Sequence, residues 1–162
     1  MTQTIASLKP FEAERDTGSP NRNLAPITTA LDREDRLVIG GCLLSELAQR
    51  YGTPLYVLDE DTVRATCRAY RDALQQHYPG TSLPVYASKA NSSLLMSSIA
   101  AAEGLGLDAV SAGELLTALQ GGMPGERMVL HGNNKNDEEL LLAYNNKIRT
   151  REGNSRTSTR HA

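Results

Sequence analysis

The sequence is short of the residues on which nucleic-acid-binding surfaces depend. It has no tryptophan, one phenylalanine and six tyrosines among 162 residues, too few aromatic rings for a surface on which bases stack. Its 17 lysines and arginines are balanced by 19 aspartates and glutamates, a formal net charge of −2, whereas nucleic-acid binders usually have a basic excess. We therefore expect no nucleic-acid partner.

The sequence also lacks long apolar runs and clustered metal ligands. No uncharged apolar run reaches the roughly 18 residues of a transmembrane helix, and the acidic N-terminal residues do not resemble a secretory signal. Cys42 and Cys67 have no CxxC spacing, so we expect reduced thiols and a cytoplasmic location. The scattered histidines His77, His131 and His161 form no zinc pattern. We expect neither membrane contact nor a bound metal.

The N-terminal part of the chain has little apolar periodicity. Residues 1–36 are rich in Asn, Thr, Asp, Arg and Pro, so we expect a disordered polar leader or a loosely draped arm. The apolar residues 37–39, followed by two glycines, predict a strand and a turn. Leucines at helical spacing then predict a short helix that ends at Gly52, and residues 54–58 predict a second strand.

A regular alternation of strands and helices follows. Asp59 is expected to cap a helix that ends near residues 77–78, before a Pro-Gly pair. Three strand–helix units come next, with strands at 83–87, 107–110 and 128–131 and helices at 92–103, 111–120 and 136–144. Such units favour parallel strands joined by right-handed crossovers, so we predict an α/β fold.

The last sixteen residues break this alternation. Residues 147–162 contain one large apolar side chain, Ile148, with five basic residues and one acidic residue. A fourth unit needs an apolar strand here, so we predict none and expect disorder. The segment is either a basic arm for nucleic acid or, as we favour, an unfolded end produced by an interrupted coding region.

A lysine follows the first strand of the three units, in the segment YASKAN (86–91). Side chains at the carboxyl ends of parallel strands point into the mouth of an α/β fold, where ligands bind. A lysine held partly out of water there loses its proton more readily and becomes a nucleophile, as a Schiff base with an aldehyde requires. The alternative for Lys89 is an ordinary solvated lysine at a strand end.

Two acidic residues belong to the second unit. Asp108 lies inside a short strand, and charged residues are seldom buried without a partner, so it faces either the mouth of the fold or an exposed edge. Glu114 is three residues after Ser111, the spacing of a capping box in which the carboxylate binds the Ser111 amide. That structural role and a role in a site are compatible.

The third unit ends in the polar segment HGNNK (131–135), which contains His131 and Asn133. These side chains follow an apolar strand at the same end of the fold as Lys89. The alternative is a polar turn that precedes a helix capped by Asn136. The glycines at 121, 122 and 125 follow a helix rather than open one, so we interpret them as a turn and not as a phosphate cradle.

Together these segments resemble the pyridoxal-phosphate-dependent decarboxylases built on the alanine-racemase-like barrel, and most of all the diaminopimelate decarboxylases. The resemblance covers roughly residues 37–145. It is carried, in the family's order, by YGTPLYVLD (51–59), YASKAN (86–91), DAVSAGEL (108–115) and HGNNK (131–135). The last motif favours the diaminopimelate branch over the ornithine and arginine branches.

The resemblance implies a cofactor, a reaction and a set of site residues. Lys89 would form the Schiff base with pyridoxal 5'-phosphate, and the reaction would convert meso-2,6-diaminopimelate to L-lysine and carbon dioxide. Asp108 and Glu114 match positions near the cofactor, and His131 and Asn133 match a pocket wall. The implied partners are a small amino-acid substrate and a second copy of the chain in a homodimer. The alternatives are another decarboxylase of this barrel family and a non-catalytic barrel that carries the cofactor.

The resemblance also implies an incomplete architecture. A full (β/α)8 barrel takes about 250 residues, and residues 59–146 supply about three of its eight units, while residues 37–58 resemble the N-terminal strands of the family's β-domain. The family's phosphate loop, its later histidine and its acid for the pyridine nitrogen have no counterpart. We therefore expect this chain, taken alone, to be inactive and prone to aggregation.

Overall fold

The computed structural model describes residues 24–151, and the chain divides into two compact units, Met1–Ala65 and Thr66–Ala162. Expectations for residues 1–23 and 152–162 lie outside the described residues. Each unit has its own sheet, antiparallel in the first and parallel in the second. No helix within the described residues is long and apolar enough to cross a membrane.

The first unit contains a small antiparallel sheet. Its strands, in spatial order, are β1 (Ala30–Leu31), β2 (Leu37–Ile39) and β3 (Cys42–Leu43), and a helix, α1 (Leu44–Tyr51), follows directly. The turn between β1 and β2 is organised by the Asp32 carboxylate. It accepts hydrogen bonds from the backbone N–H groups of Glu34 at 3.0 Å and Arg36 at 2.8 Å. Such side-chain-to-backbone bonds are the usual reason for Asp in a turn.

Two predictions for this unit are wrong. Ala30 and Leu31 belong to the expected leader, but they form β1, because the Asp32 turn returns the chain onto β2. Residues 54–58 were expected to be a strand, but they have no regular structure, and Tyr56 is fully exposed. An extended apolar segment becomes a strand only when another strand pairs with it, and none of the described strands pairs with this one.

A long helix, α2 (Glu60–His77), begins in the first unit and continues into the second. Asp59 is buried, and its carboxylate accepts a hydrogen bond from the Thr62 N–H at 3.1 Å, which confirms the predicted N-cap. Cys67 is the buried residue of α2. Arg71 donates from its guanidinium to the Glu103 carbonyl at 2.9 Å, a contact within the second unit, to which this half of α2 belongs.

The second unit contains a parallel sheet in which spatial order equals chain order. Its elements are β4 (Val85–Ala87), α3 (Leu94–Ala102), β5 (Gly106–Ala109), α4 (Ala112–Gln120), β6 (Met128–His131), α5 (Asp137–Asn145) and β7 (Arg149–Arg151). The strands pair in the order β4-β5-β6-β7, all parallel. The three predicted strand–helix units are therefore confirmed.

The core of this unit lies between the sheet and its helices. Leu107 and Ala109 of β5 and Met128 and Leu130 of β6 are buried, while Asp108 between them reaches the opposite face. The helices contribute Ile99, Leu115 and Ala143, which are also fully buried. Side chains alternate between the faces of a strand, so one face is packed and the other carries polar groups.

The prediction that no strand follows residue 146 is wrong. Arg149, Thr150 and Arg151 pair with Val129, Leu130 and His131 of β6. All three β7 side chains are exposed, so the strand needs no apolar residues; its backbone bonds come from β6, and Ile148 just before it is the buried anchor. The backbone N–H of Ile148 donates to the Ala143 carbonyl at 2.9 Å, which turns the chain from α5 into β7.

Candidate functional site

Most of the residues singled out by the sequence meet at the carboxyl ends of β4, β5 and β6. Lys89 lies in the single 3₁₀ turn Ser88–Ala90 that directly follows β4. Ala87 of β4 pairs with Asp108 of β5, and His131 is the last residue of β6. The carboxyl ends of parallel strands are where ligands of α/β folds bind, so this edge of the sheet is the candidate site.

Lys89 is exposed, and its Nζ has neither a hydrogen bond nor an ion pair with the described residues. The expectation of a lysine partly withdrawn from water is therefore wrong for this chain. The physical reason is that the sheet has four described strands, which leave this edge open. The amine is in the predicted place but is not enclosed there.

Asp108 and His131 form the polar pair of the site. Asp108 Oδ2 lies 3.5 Å from His131 Nδ1, because the two side chains leave neighbouring strands on the same face. The other carboxylate oxygen, Asp108 Oδ1, is buried and has no hydrogen-bond partner within residues 24–151. Buried polar atoms are normally satisfied, so Asp108 Oδ1 is an acceptor that lacks a donor in the described part of the chain.

Glu114 does not make the predicted capping box. The Ser111 hydroxyl accepts from the Glu114 N–H at 3.3 Å, as expected for an N-cap. The Glu114 carboxylate, however, accepts from the Val110 N–H at 2.8 Å and contacts the Ser88 hydroxyl, rather than the Ser111 amide. It joins the end of β5 to the turn after β4. A full capping box occurs instead at Asn136 and Glu139, at the start of α5.

The side chains of the polar segment after β6, residues 132–135, differ in their surroundings. Asn133 is exposed and has no hydrogen bond with the described residues, Lys89 and Asp108 included. Lys135 Nζ donates to the carbonyl of Val110, the residue after β5, at 2.5 Å. The sequence placed Lys135 in the polar segment HGNNK at this end of the fold, but it carried no signal for this hydrogen bond.

Ser88 was not predicted as a site residue, although its position in the sequence offered a signal. It is a small polar residue between an apolar strand and the candidate lysine, and such a residue is either exposed or buried with hydrogen-bond partners. The structure buries Ser88, and its hydroxyl lies within hydrogen-bonding distance of the Asp108 carbonyl at 2.9 Å and of the Glu114 carboxylate.

The site combines an amine, Lys89, with the carboxylates of Asp108 and Glu114. No cluster of His, Cys, Asp and Glu suited to a metal ion occurs in the part of the chain that the structure describes. The helices α3, α4 and α5 each begin just beyond β4, β5 and β6, capped by Ser93, Ser111 and Asn136. Their N-terminal ends favour negative charge, so the same edge suits an anionic group.

Comparison with known protein families identifies the chain. The model of the pyridoxal-binding domain of pyridoxal-dependent decarboxylases matches residues 60–157. This match contains Lys89, Asp108, Glu114, His131 and Asn133, and it extends past residue 147, where the sequence had been expected to become aberrant. The chain belongs to the pyridoxal-dependent decarboxylase family, and its parallel sheet is part of that family's alanine-racemase-like barrel.

Similar proteins are diaminopimelate decarboxylases. The enzyme of Synechocystis sp. is 45% identical over 133 residues, 77% of this chain and 28% of that protein. The enzyme of Bacillus subtilis is 44% identical over 122 residues, 75% of this chain and 27% of that protein. The crystal structure of the M. jannaschii enzyme in complex with L-lysine matches 76% of this chain and 29% of its own, with a TM-score of 0.67 and 32% identity. This chain therefore spans little more than a quarter of the relatives it matches.

Proposed function

We propose that this chain carries the lysine-bearing part of the cofactor site of a diaminopimelate decarboxylase, which converts meso-2,6-diaminopimelate to L-lysine and carbon dioxide. The observation that carries the proposal is the coincidence of two facts. The chain is 45% identical to a diaminopimelate decarboxylase over 133 residues, and its YASKAN lysine follows β4 at the same end of the parallel sheet as the Asp108–His131 pair.

The described residues fit one end of pyridoxal 5'-phosphate. Lys89 is an amine without a competing partner in the described chain, the group that an aldehyde requires. The Asp108 side chain is 28% exposed, so its carboxylate supplies a negative charge that would favour a cationic N–H nearby. No glycine-rich loop opens an α-helix between residues 24 and 151, so within this part of the chain the α-helix N-termini are the features suited to the phosphate.

The chemistry divides between cofactor and chain. Bound pyridoxal phosphate supplies an electron sink for the charge left when a carboxylate departs as carbon dioxide. The amine of Lys89, Nζ, would bind the cofactor's aldehyde. When it is not bound to the cofactor, the same amine could hold or deliver a proton. Asp108 Oδ2 keeps His131 Nδ1 oriented at the end of β6. The Glu114 carboxylate accepts a hydrogen bond from the Val110 backbone N–H, so it holds the chain after β5 rather than facing the open side of the sheet.

The 162-residue chain alone is expected not to turn over diaminopimelate. Cofactor phosphate without a cradle is held weakly, and an exposed amine does not exclude water, which decarboxylases of this kind need to do to control protonation. The measurement is release of carbon dioxide from diaminopimelate by the purified chain supplied with pyridoxal phosphate. Turnover near typical enzyme values of about 1–1,000 per second would contradict this expectation.

The anchoring role of Lys89 is tested by reductive labelling. Pyridoxal phosphate is added to the full chain, borohydride fixes the adduct, and peptide mass spectrometry counts the label on each lysine. We expect the label to concentrate on Lys89 and to disappear in Lys89→Ala, while Lys147→Ala, which removes another exposed lysine, leaves it unchanged. Equal labelling of Lys89, Lys135 and Lys147 would overturn the proposal.

Substrate identity is tested on a sample to which pyridoxal phosphate but no borohydride has been added. Diaminopimelate, lysine, ornithine and arginine are each offered to this unreduced adduct, and the loss of the Lys89 adduct is followed by absorbance. Preferential displacement by diaminopimelate supports the proposed substrate. Equal displacement by all four amino acids would leave only the general class of pyridoxal-dependent decarboxylase.

A cytoplasmic location and a homodimer complete the proposal. Cys42 and Cys67 are both free thiols, as expected for a reducing compartment. A second copy of the chain is supported by the apolar residues 55–58, which are 40–100% exposed and consecutive. Large exposed apolar patches commonly mark protein–protein contacts.

A further inference from the structure

Ser88 is a polar residue in a fully buried position. It is 1% exposed, although an alanine or valine would fill the same place at the end of β4 without needing hydrogen bonds. Its hydroxyl oxygen lies 2.9 Å from the Asp108 carbonyl oxygen and also contacts a Glu114 carboxylate oxygen, so its single proton is shared between two acceptors. The two acceptors belong to different elements, β5 and the first turn of α4. Ser88 therefore links the turn after β4 to both elements through one shared proton.

Glu114 is placed to brace Ser88. The carboxylate oxygen that contacts the Ser88 hydroxyl also accepts from the Val110 N–H at 2.8 Å. Helix α4 does not need this carboxylate as a cap, because the Ser111 side chain already accepts from the Glu114 N–H. The carboxylate is thus free to serve the junction between β4 and β5.

Lys89 is the residue next to Ser88 and has no side-chain partner of its own in the described part of the chain. Its position is therefore set by its backbone, and the backbone of the turn Ser88–Ala90 is held through Ser88. We propose that Ser88 is a positioning residue for Lys89, with Glu114 as its brace. What Lys89 does once positioned rests on the proposed function; how it is positioned does not.

The first experiment measures the turn without any cofactor. In the full chain, hydrogen exchange of the Val110 amide and backbone relaxation of Lys89 are followed by NMR. We expect Ser88→Ala to speed Val110 exchange roughly tenfold, as loss of a buried hydrogen bond predicts, and to increase Lys89 backbone motion. Ser92→Ala, the same change at an exposed serine nearby, is the matched control and is expected to alter neither.

Glu114 variants provide the conservative rescue. Glu114→Gln retains a carbonyl oxygen that can take the place of the carboxylate oxygen and accept from both the Val110 N–H and the Ser88 hydroxyl, so the Val110 amide is expected to exchange nearly as in the parent chain. Glu114→Ala is expected to behave like Ser88→Ala, and the double variant to add little, because both residues act through one connection. Glu138→Ala, an exposed carboxylate in the first turn of α5, is the control.

The second experiment tests whether the position of Lys89 affects its reaction with pyridoxal phosphate. The ratio of pyridoxal label on Lys89 to label on Lys147 is measured in each variant, with circular dichroism to verify folding. We expect Ser88→Ala to lower that ratio about threefold or more, whereas a general loss of structure would change both lysines together. Unchanged Val110 exchange and Lys89 motion in Ser88→Ala would overturn the inference. Altered exchange without any selective labelling of Lys89 would instead overturn the proposed function and leave the inference standing.

Discussion

Asp108 illustrates how one residue can carry charge within an otherwise buried strand. Leu107 and Ala109 on either side of it are fully buried, and the alternation of side chains sends Asp108 to the opposite face. A shift of one residue in the pairing with β4 and β6 would place the carboxylate in the core and two apolar side chains in water. The charge therefore helps to fix the register that aligns it with His131.

The Asp32 turn of the first unit provides a prediction at the same scale. Burial opposes the ionised carboxyl, but hydrogen bonds from the Arg36 N–H, the Arg36 guanidinium and the Glu34 N–H hold the pKa of Asp32 below its ordinary value of 3.8. A lowered folded-state pKa means that the charged form stabilises the turn above pH 3.8, and that this contribution is lost as the pH falls through the folded-state pKa.

The expected result is that hydrogen exchange of the Arg36 amide accelerates as the pH falls below 3.8, beyond the intrinsic change of exchange chemistry. Asp32→Asn keeps the shape of the side chain and removes the titrating group, so its Arg36 amide should show no such transition. An Arg36 amide that is equally protected across this pH range in both proteins would contradict the prediction.

At the scale of elements, the helix caps were the most predictable features of this chain. Asp59, Ser111 and Asn136 were predicted as N-caps from their own chemistry, and all three accept the expected backbone N–H. Strand identity in residues 54–58 and 149–151 could not be predicted locally. A segment forms a strand only when a neighbouring strand pairs with it. The apolar residues 54–58 have no such partner among the described strands, whereas the basic residues 149–151 pair with β6.

The same distinction holds for the site. The place of Lys89 and of His131 at one end of the fold followed from the strand–helix alternation, whereas the pairing of Asp108 with His131 was not predicted and emerged from the parallel register. The true partners of Glu114 did not, because Val110 and Ser88 approach it through the fold and not through sequence spacing. The exposure of Lys89 could not be predicted either, because it depends on whether other strands of the fold cover this end of the sheet.

The capping box of α5 provides the prediction at this scale. The Asn136 side chain accepts from the Glu139 N–H at 2.8 Å, and Glu139 accepts in return from the Asn136 N–H at 3.2 Å. Asn136→Ala should lower the free energy of opening of α5 by about 1 kcal/mol. Asn145→Ala makes the same change at the exposed last residue of the helix and should have a much smaller effect. Native-state hydrogen exchange of α5 amides measures both; equal effects would contradict a specific cap.

At the scale of the molecule, the parallel sheet has two open edges among the described strands, β4 and β7. They differ in chemistry. Near β4, Leu83 and Val85 are 41% and 46% exposed, whereas β7 presents two arginines. Charged side chains on an edge strand discourage pairing with other chains, and apolar ones permit it. The β4 edge is therefore the one at which self-association should begin.

Sedimentation velocity over a range of protein concentrations tests this expectation. The chain should associate as its concentration rises, and Val85→Lys should shift that association to concentrations several-fold higher, because it places a charge on the apolar edge. Thr81→Lys adds the same charge at an exposed position outside the strand and serves as the control. Association that is unaffected by Val85→Lys would place the contact elsewhere on the molecule.

In the parallel sheet, each strand lies beside the one that precedes it in the chain, from β4 to β7. A nascent polypeptide leaving the ribosome could accordingly lay down this layer one strand at a time, without waiting for a distant segment to be synthesised. Each newly added helix would seal the apolar surface exposed by the previous step, as Ile99, Leu115 and Ala143 do in turn. Loop-closure entropy at every stage is that of a short connection, so assembly of this layer should proceed at the pace of translation.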